Sequence, residues 1–517
     1  MPALSAMPSV LQLTTSVFFN ARRMARPAAA LAGALIWTAA QAAPADAYLK
    51  GAFGPVVNWP IMPIHAVLLP DGRVMSYGTD NKGNQTGLFA YDVWDPTQGT
   101  AAASHLTLPN TTGTDTFCSG QILLPSNGAV LLMGGDRVVN KKRNYSVADV
   151  NLFDYRSSAL YKAPQPMADE RWYPTSITLS NGEVLILGGR SDPSTYVPVP
   201  EVYSENTGWR RLTGAGSVDA YGARNWSYPR AWQAPNGKVF VSTIWGGTYY
   251  LDASGAGSVT RTPLNLRTSH YYLPSVMFAP GKILSLRNYN SAQVIDVTGA
   301  TPKATSVTGV GQDRLHGSAT VMADGQVLVN GGSLIDNWAF GVAYTAKIWN
   351  PTTAKWTTAA AAAKMRLYHS ISLLLPDATI LTGGGGAPGP VTNLNAEIYT
   401  PPYLFKQDKT GTLAPRPVIL DAPTATTWKQ AFTVETNIAG IDRVSKVTFI
   451  KTGSVTHTID FDQRLVPVSY TTQASPRGTQ VTITAPESAN IATPGYYMVF
   501  VFNSAGVPSV AKIIRLG

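Results

Sequence analysis

Residues 175–190 read TSITLSNGEVLILGGR. A run of alternating apolar residues, Thr175 to Leu179, and a second apolar run, Val184 to Leu187, meet at Asn181-Gly182 and close on Gly188-Gly189. Alternation with period two marks a half-buried strand, and Asn-Gly between two such runs is the strongest short-range signal for a β-hairpin. The pairing predicts a tight two-residue turn with positive φ at both Asn181 and Gly182.

The same pattern recurs at 65–79, 120–136, 230–245, 272–287, 317–333 and 369–387, which makes seven hairpins with 175–190. Their turns are spaced from 44 residues (Gly237 to Gly281) to 56 residues (Gly72 to Gly128). That spacing is the blade length of kelch-type repeats. One hairpin alone is marginally stable, whereas stacked copies around an axis bury both faces of each sheet. The prediction is an all-β chain: a seven-bladed kelch-type β-propeller over residues 48–400. After Pro401-Pro402-Tyr403 the rhythm stops. Strand patterns at 431–437, 444–450, 478–485 and 496–502 then predict a C-terminal immunoglobulin-like β-sandwich over 401–517.

Composition agrees with this class. Only 14% of residues are charged, while there are 46 Gly, 37 Pro, 23 Tyr and 12 Trp. The net charge is +10, but the 40 Lys and Arg are scattered and form no basic stripe, which argues against nucleic-acid binding and leaves attraction to acidic glycans or an envelope. Residues 1–47 read as an upstream extension and export signal. Arg22, Arg23 and Arg26 precede an Ala-rich apolar stretch from Pro27 to Ala40, and small-x-small sites lie at 40–42 and 45–47. Met24 is an alternative start. The apolar stretch is shorter than a membrane span needs, so the expectation is a secreted or periplasmic, monomeric protein with no integral membrane segment.

Of six histidines, two stand in unusual settings. His369 follows Tyr368 at the start of the last hairpin, and His457 lies at a polar strand end of the C-terminal region. Each has an ordinary reading by itself: His369 as a hydrogen-bonded core residue, His457 as a surface residue, Tyr173 and Tyr368 as inter-blade packing, and Cys118 as a small buried hydrophobe. Together, two imidazoles and two phenolate oxygens form a tetragonal N,O donor set that favours Cu(II) over zinc. Cys118, the single cysteine of an exported chain, then fits as a partner of Tyr173 and not as a ligand.

Four stretches carry a resemblance: Thr116-Phe-Cys118-Ser-Gly, Arg171-Trp-Tyr173-Pro-Thr-Ser, Arg366-Leu-Tyr368-His369-Ser-Ile-Ser-Leu-Leu-Leu-Pro and Gly453-Ser-Val-Thr-His457-Thr-Ile-Asp. From about Tyr48 to its end the chain resembles the galactose oxidase and glyoxal oxidase family of mononuclear copper radical oxidases. The resemblance implies one copper ion held by Tyr173, Tyr368, His369 and His457. It also implies a self-derived thioether radical cofactor formed by Tyr173 and Cys118, with a fifth copper position open to substrate. The implied reaction is two-electron oxidation of a small alcohol, aldehyde or glycan by O₂ with release of hydrogen peroxide. Tyr368 would be the general base. His457 would have to reach the propeller axis from the second domain on a hairpin.

The chain also departs from the family. Ser191 stands where galactose oxidase has a tryptophan over its cross-linked tyrosine, and the arginine that holds sugar hydroxyls there has no secure counterpart, since the region Asn225 to Arg230 aligns in more than one way. Trp226, Trp338 and Trp172 are candidate pocket aromatics or inter-blade packing. The rival reading is a catalytically silent propeller that binds glycan or protein at a cell surface.

Overall fold

The computed structural model of the protein describes residues 43–517. The expected export signal lies outside the described residues except for its second cleavage candidate, 45–47. There Ala47 opens a short helix, Ala47–Lys50, and is buried against Ala52 and Phe405. Among the described residues no helix is long and apolar enough to cross a membrane.

The hairpins each extend into an antiparallel meander. In chain order the third is Thr175–Thr178, Val184–Leu187, Glu201–Ser204 and Gly208–Arg211. The last combines Ser370–Leu374, Ile380–Gly384 and Asn395–Thr400 with Ala52–Phe53 from the start of the described chain, so the two ends of the repeat region share one sheet. In all seven meanders the second strand is almost wholly buried, while the outermost strand of the first six is largely half-buried or exposed. Strands buried on both faces lose the polar alternation of a one-sided sheet, which is why VLIL and VLLM run unbroken.

The turns differ from the two-residue expectation. Gly182 has φ +88°, but Asn181 does not lie in the left-handed region. The Gly182 amide donates to Leu179 O at 3.0 Å, and Leu179 N donates to Glu183 O at 2.9 Å. This is a three-residue loop closed by one glycine, a geometry that needs positive φ only once. Gly72, Gly237 and Gly325 repeat it. In the last meander Ala378 occupies the glycine position at φ +64°.

Apolar clusters join each meander to the next. One contains Leu185 and Val241 from the third and fourth; another contains Leu328, Leu373 and Leu68, tying the sixth and seventh to the first. The C-terminal region is two sheets around Val434, Phe449, Val481 and Tyr497. Its strand Gly495–Phe502 is buried throughout: Tyr497, Val499 and Val501 face the sandwich core, while Met498, Phe500 and Phe502 join the cluster shared with the meanders. Strand periodicity thus splits one segment between two cores.

Candidate active site

A hairpin leaves the C-terminal sheets after Lys451 and adds Ser454–Thr456 and Ile459–Asp460 to the edge of the first meander, with Thr456 opposite His65. Side-chain hydrogen bonds fix it to several meanders. Gln121 Nε2 donates to Val455 O at 3.0 Å, Gln463 brackets Val321 at 2.9 and 3.1 Å, and Arg230 Nη2 donates to Thr458 Oγ1 at 2.7 Å. At its root the buried Lys451 ammonium meets Asp462 at 2.9 Å and Thr493 at 2.8 Å. His457, at the tip, is carried to the first strands of the meanders.

Those strands begin at equivalent places, and the residues there are linked from meander to meander in two runs, Cys118 to Tyr228 and Tyr272 to His316. Tyr173 N donates to Cys118 O at 2.9 Å, Tyr228 N to Tyr173 O at 2.8 Å, and His316 N to Tyr272 O at 2.8 Å. Cys118 (φ +56°), Tyr173 (+67°), His369 (+66°) and His457 (+45°) all lie in the left-handed region. For bulky side chains this conformation carries strain that only surrounding structure can hold, and such residues cluster at functional sites. Arg171 and Arg366, each two residues before a site tyrosine, supply part of that structure. Both are buried, pair with Glu201 at 3.0 Å and Glu397 at 2.9 Å, and donate to the glycine carbonyls of Gly188 and Gly384.

All five residues expected from the sequence are brought together. Cys118 Sγ lies 3.9 Å from His369 Nε2 and 3.6 Å from His457 Nε2, and the Tyr173 and Tyr368 hydroxyls are hydrogen-bonded to each other. The His369 and His457 rings are 4.4 Å apart and nearly perpendicular; His457 also packs 4.8 Å from Tyr173. His369 Nδ1 donates to Gly386 O at 2.7 Å. His457 Nδ1 meets Thr456 Oγ1 at 2.5 Å, and that hydroxyl in turn donates to Ile64 O at 3.0 Å. Proton acceptors at both Nδ1 atoms fix the tautomer and leave the Nε2 lone pairs free, which is the arrangement of metal-ligating imidazoles.

Burial holds both imidazoles well below their usual pKa, so they are neutral and ligand-competent. The Tyr173 and Tyr368 phenols and the Cys118 thiol are pushed well above theirs, chiefly by burial; the nearby Cys118 adds to the rise at both phenols, with Tyr272 ahead of it at Tyr368, whereas the hydrogen bond with Tyr173 pulls the thiol back. Two neutral imidazoles and two phenols concentrated in one dry spot match a tetragonal cupric ion, whose charge would offset the cost of ionising buried phenols.

His65 was not singled out from the sequence, yet it lies within 4.8 Å of Cys118 and His457 as a possible third ligand. Its hydrogen bonds argue for another role. Nδ1 bonds Gln121 at 2.7 Å, and Nε2 accepts the Cys118 amide at 3.2 Å, so both nitrogens are engaged. Burial lowers its pKa to about 3. His65 holds the strained Cys118 backbone in place. Its position in the first strand of the first hairpin, two places nearer the turn than His369 in the last, is the signal that could have found it. Tyr228 and Tyr272 were likewise missed: Tyr228 packs 4.8 Å from both Tyr173 and His457, and Tyr272 packs 5.5 Å from Tyr368.

The pocket aromatics separate. Trp172 packs edge-on to Tyr173 at 4.3 Å and Trp226 lies 5.6 Å from it, whereas Trp338 is 68% exposed on a surface loop. The Ser191 backbone amide donates into a turn at Thr195 O.

A family model described as the galactose oxidase-like early set domain matches residues 416–516. Galactose oxidase of Gibberella zeae is 29% identical over 505 residues, covering 90% of this chain and 70% of that protein. Aldehyde oxidase GLOX of Vitis pseudoreticulata is 27% identical, covering 78% of this chain and 82% of that one. A solved structure of a fungal alcohol oxidase of the AA5 family in complex with copper superposes with a TM-score of 0.78 at 25% identity, covering 90% of this chain and 99% of that one. Along nine-tenths of its sequence, in its early set module and in its three-dimensional fold, this chain is similar to the galactose oxidases, the aldehyde oxidases and a copper-bound alcohol oxidase.

Proposed function

We propose that the chain is a copper radical oxidase that converts a primary alcohol or aldehyde to the next oxidation level with O₂ and releases hydrogen peroxide. The observation that carries this reading is the convergence of the two free Nε2 atoms on Cys118 beside the paired Tyr173 and Tyr368 hydroxyls. The seven meanders would be the blades of a kelch-type propeller over residues 48–400, with the sandwich of 401–517 lending His457. The Arg-rich and Ala-rich stretch before Ala43 would direct export. Burial of Ala47 favours cleavage after Ala42 over cleavage after Ala47, which would cut through packed structure.

His369, His457, Tyr173 and Tyr368 would hold the metal. Copper, when bound, supplies one-electron redox capacity and acidifies a bound hydroxyl. Cys118 and Tyr173 would lose one hydrogen each as a carbon–sulfur bond forms ortho to the phenol oxygen, with O₂ taking both hydrogens as hydrogen peroxide. Sulfur would delocalise the unpaired electron of an oxidised Tyr173 and make the radical easier to store. In turnover Tyr368 would take the substrate hydroxyl proton, and oxidised Tyr173 would take a hydrogen atom from the adjacent carbon. O₂ would accept the two electrons and two protons, which balances RCH₂OH + O₂ to RCHO + H₂O₂.

The test is oxygen uptake by copper-loaded protein offered primary alcohols and aldehydes. The proposal expects copper-dependent uptake with one hydrogen peroxide per O₂ and ping-pong kinetics. No uptake with any of them would leave the glycan- or protein-binding scaffold as the better reading.

A further inference from the structure

Arg190 follows the Gly188-Gly189 turn of the third meander, and its guanidinium carbon sits 4.5 Å from the ring centre of Trp172 and 4.5 Å from that of Trp226. The two indoles are stacked, 22° from parallel, and both neighbour Tyr173. The arginine is held by its backbone: its amide donates to Trp172 O at 3.1 Å, and Trp172 N returns a bond to Arg190 O at 3.0 Å. Among the described residues no carboxylate pairs with it, and its Nε is buried without an acceptor. The acid contributing to its field is Asp192, whose carboxylate is already occupied by Ser194 and Thr195.

A half-buried cation set against the faces of two indoles with no acid at its edge is an unusual expense unless the edge has a use. Indole faces stabilise the charge without consuming its N–H donors. The planar fork that remains is the complement of a carboxylate. The indoles it lies against both neighbour Tyr173, and the +10 charge of the chain favours the approach of anions.

We propose that Arg190 anchors a substrate carboxylate, so that this oxidase prefers small aldehydes or primary alcohols bearing a carboxylate next to the reacting carbon. The proposal rests on the oxidase reading above and adds the substrate class to it. Trp172 and Trp226 are the walls that aim the guanidinium.

The experiment compares glyoxylate with glyoxal, similar in size but uncharged, as substrates of the copper-loaded wild type, Arg190→Gln and Arg190→Lys. Loss of a charge-assisted hydrogen bond predicts that the ratio of kcat/KM for glyoxylate over glyoxal falls roughly 10- to 100-fold in Arg190→Gln, through KM, with Arg190→Lys between the two. A ratio that stays constant, or equal losses on both substrates, would overturn the proposal. Glyoxylate binding to the copper-free protein, followed by indole fluorescence, is read separately. Saturable binding that weakens in Arg190→Gln supports the anchor even if no oxygen is consumed, in which case only the oxidase reading fails. Turnover of glyoxal with no glyoxylate binding or preference removes the anchor and leaves the oxidase.

Discussion

His369 and His457 come from opposite ends of the fold's logic, one opening the last meander and the other capping a hairpin of the C-terminal region, yet their rings stand 4.4 Å apart at 85°. Each is tautomer-locked through Nδ1, His369 by a backbone carbonyl and His457 by Thr456. The Thr456 hydroxyl is the adjustable partner. Thr456→Val removes it at nearly constant volume and is expected to weaken copper binding by about 10- to 100-fold, the usual cost of losing such a support. A competition titration against a chelator of known affinity measures this.

Copper-loaded, aerated wild type is expected to weigh two hydrogens less than its sequence mass, and Cys118→Ser to show no deficit. Intact-mass spectrometry decides it, and a peptide map should place the loss on the segments holding Cys118 and Tyr173. Cys118→Ser is also expected to lose most oxidase activity while keeping the fold, because Ser matches the small buried thiol in shape.

Ala378 stands at φ +64° where four other meander turns have glycine. Its amide donates to Leu375 O at 2.9 Å and its carbonyl accepts from Tyr403 at 2.7 Å, so the backbone is held there from outside the turn. Relief of a left-handed non-glycine residue predicts that Ala378→Gly stabilises the protein by about 1 kcal/mol, offset in part by the added freedom of the unfolded chain. Denaturant unfolding of the two proteins checks it.

Asp460 lies in the hairpin that carries His457 and is fully desolvated, which pushes its carboxyl up to about 7. Backbone amides of Ser454, Asp462 and Gln463 all donate to Oδ1, while Oδ2 has no partner. A carboxyl whose folded pKa is raised holds its proton more tightly in the folded than in the unfolded state. Its favourable contribution is therefore complete below the unfolded value near 4 and is lost as pH rises to about 7. Asp460→Asn keeps the amide acceptor and removes the charge. Its stability relative to wild type should rise between pH 4 and 7, by on the order of 4 kcal/mol at most, and level off above that. A difference that falls with pH would show that the carboxylate is stabilised where it lies.

The repeats were legible because each hairpin is built from local signals: two apolar runs, a turn residue that is glycine in six of the seven, and in four of them a closing Gly-Gly. Their regularity also misled at one point, since Asn181-Gly182 reads as a two-residue turn, whereas the strands close around a three-residue loop that needs only Gly182 in the left-handed region. The site residues were legible as motifs but not as geometry. Nothing in local pattern tells His369, with a free Nε2, from His65, with both nitrogens engaged, because the difference lies in Gln121 and the Cys118 amide, which are remote in sequence. The Trp172–Arg190–Trp226 stack was hidden for the same reason. The sequence offers Trp226, Trp172 and Trp338 alike as candidate pocket aromatics, and only the packing puts Trp226 beside Trp172. Trp338 looked equivalent and lies on the surface.

Copper placement tests the central claim most directly. Crystals of copper-loaded protein measured on both sides of the copper absorption edge should show one anomalous peak bonded to His369 Nε2 and His457 Nε2, with Tyr173 and Tyr368 oxygens completing the set. A peak held instead by His65 and a Cys118 thiolate, or none at this centre, would contradict the account.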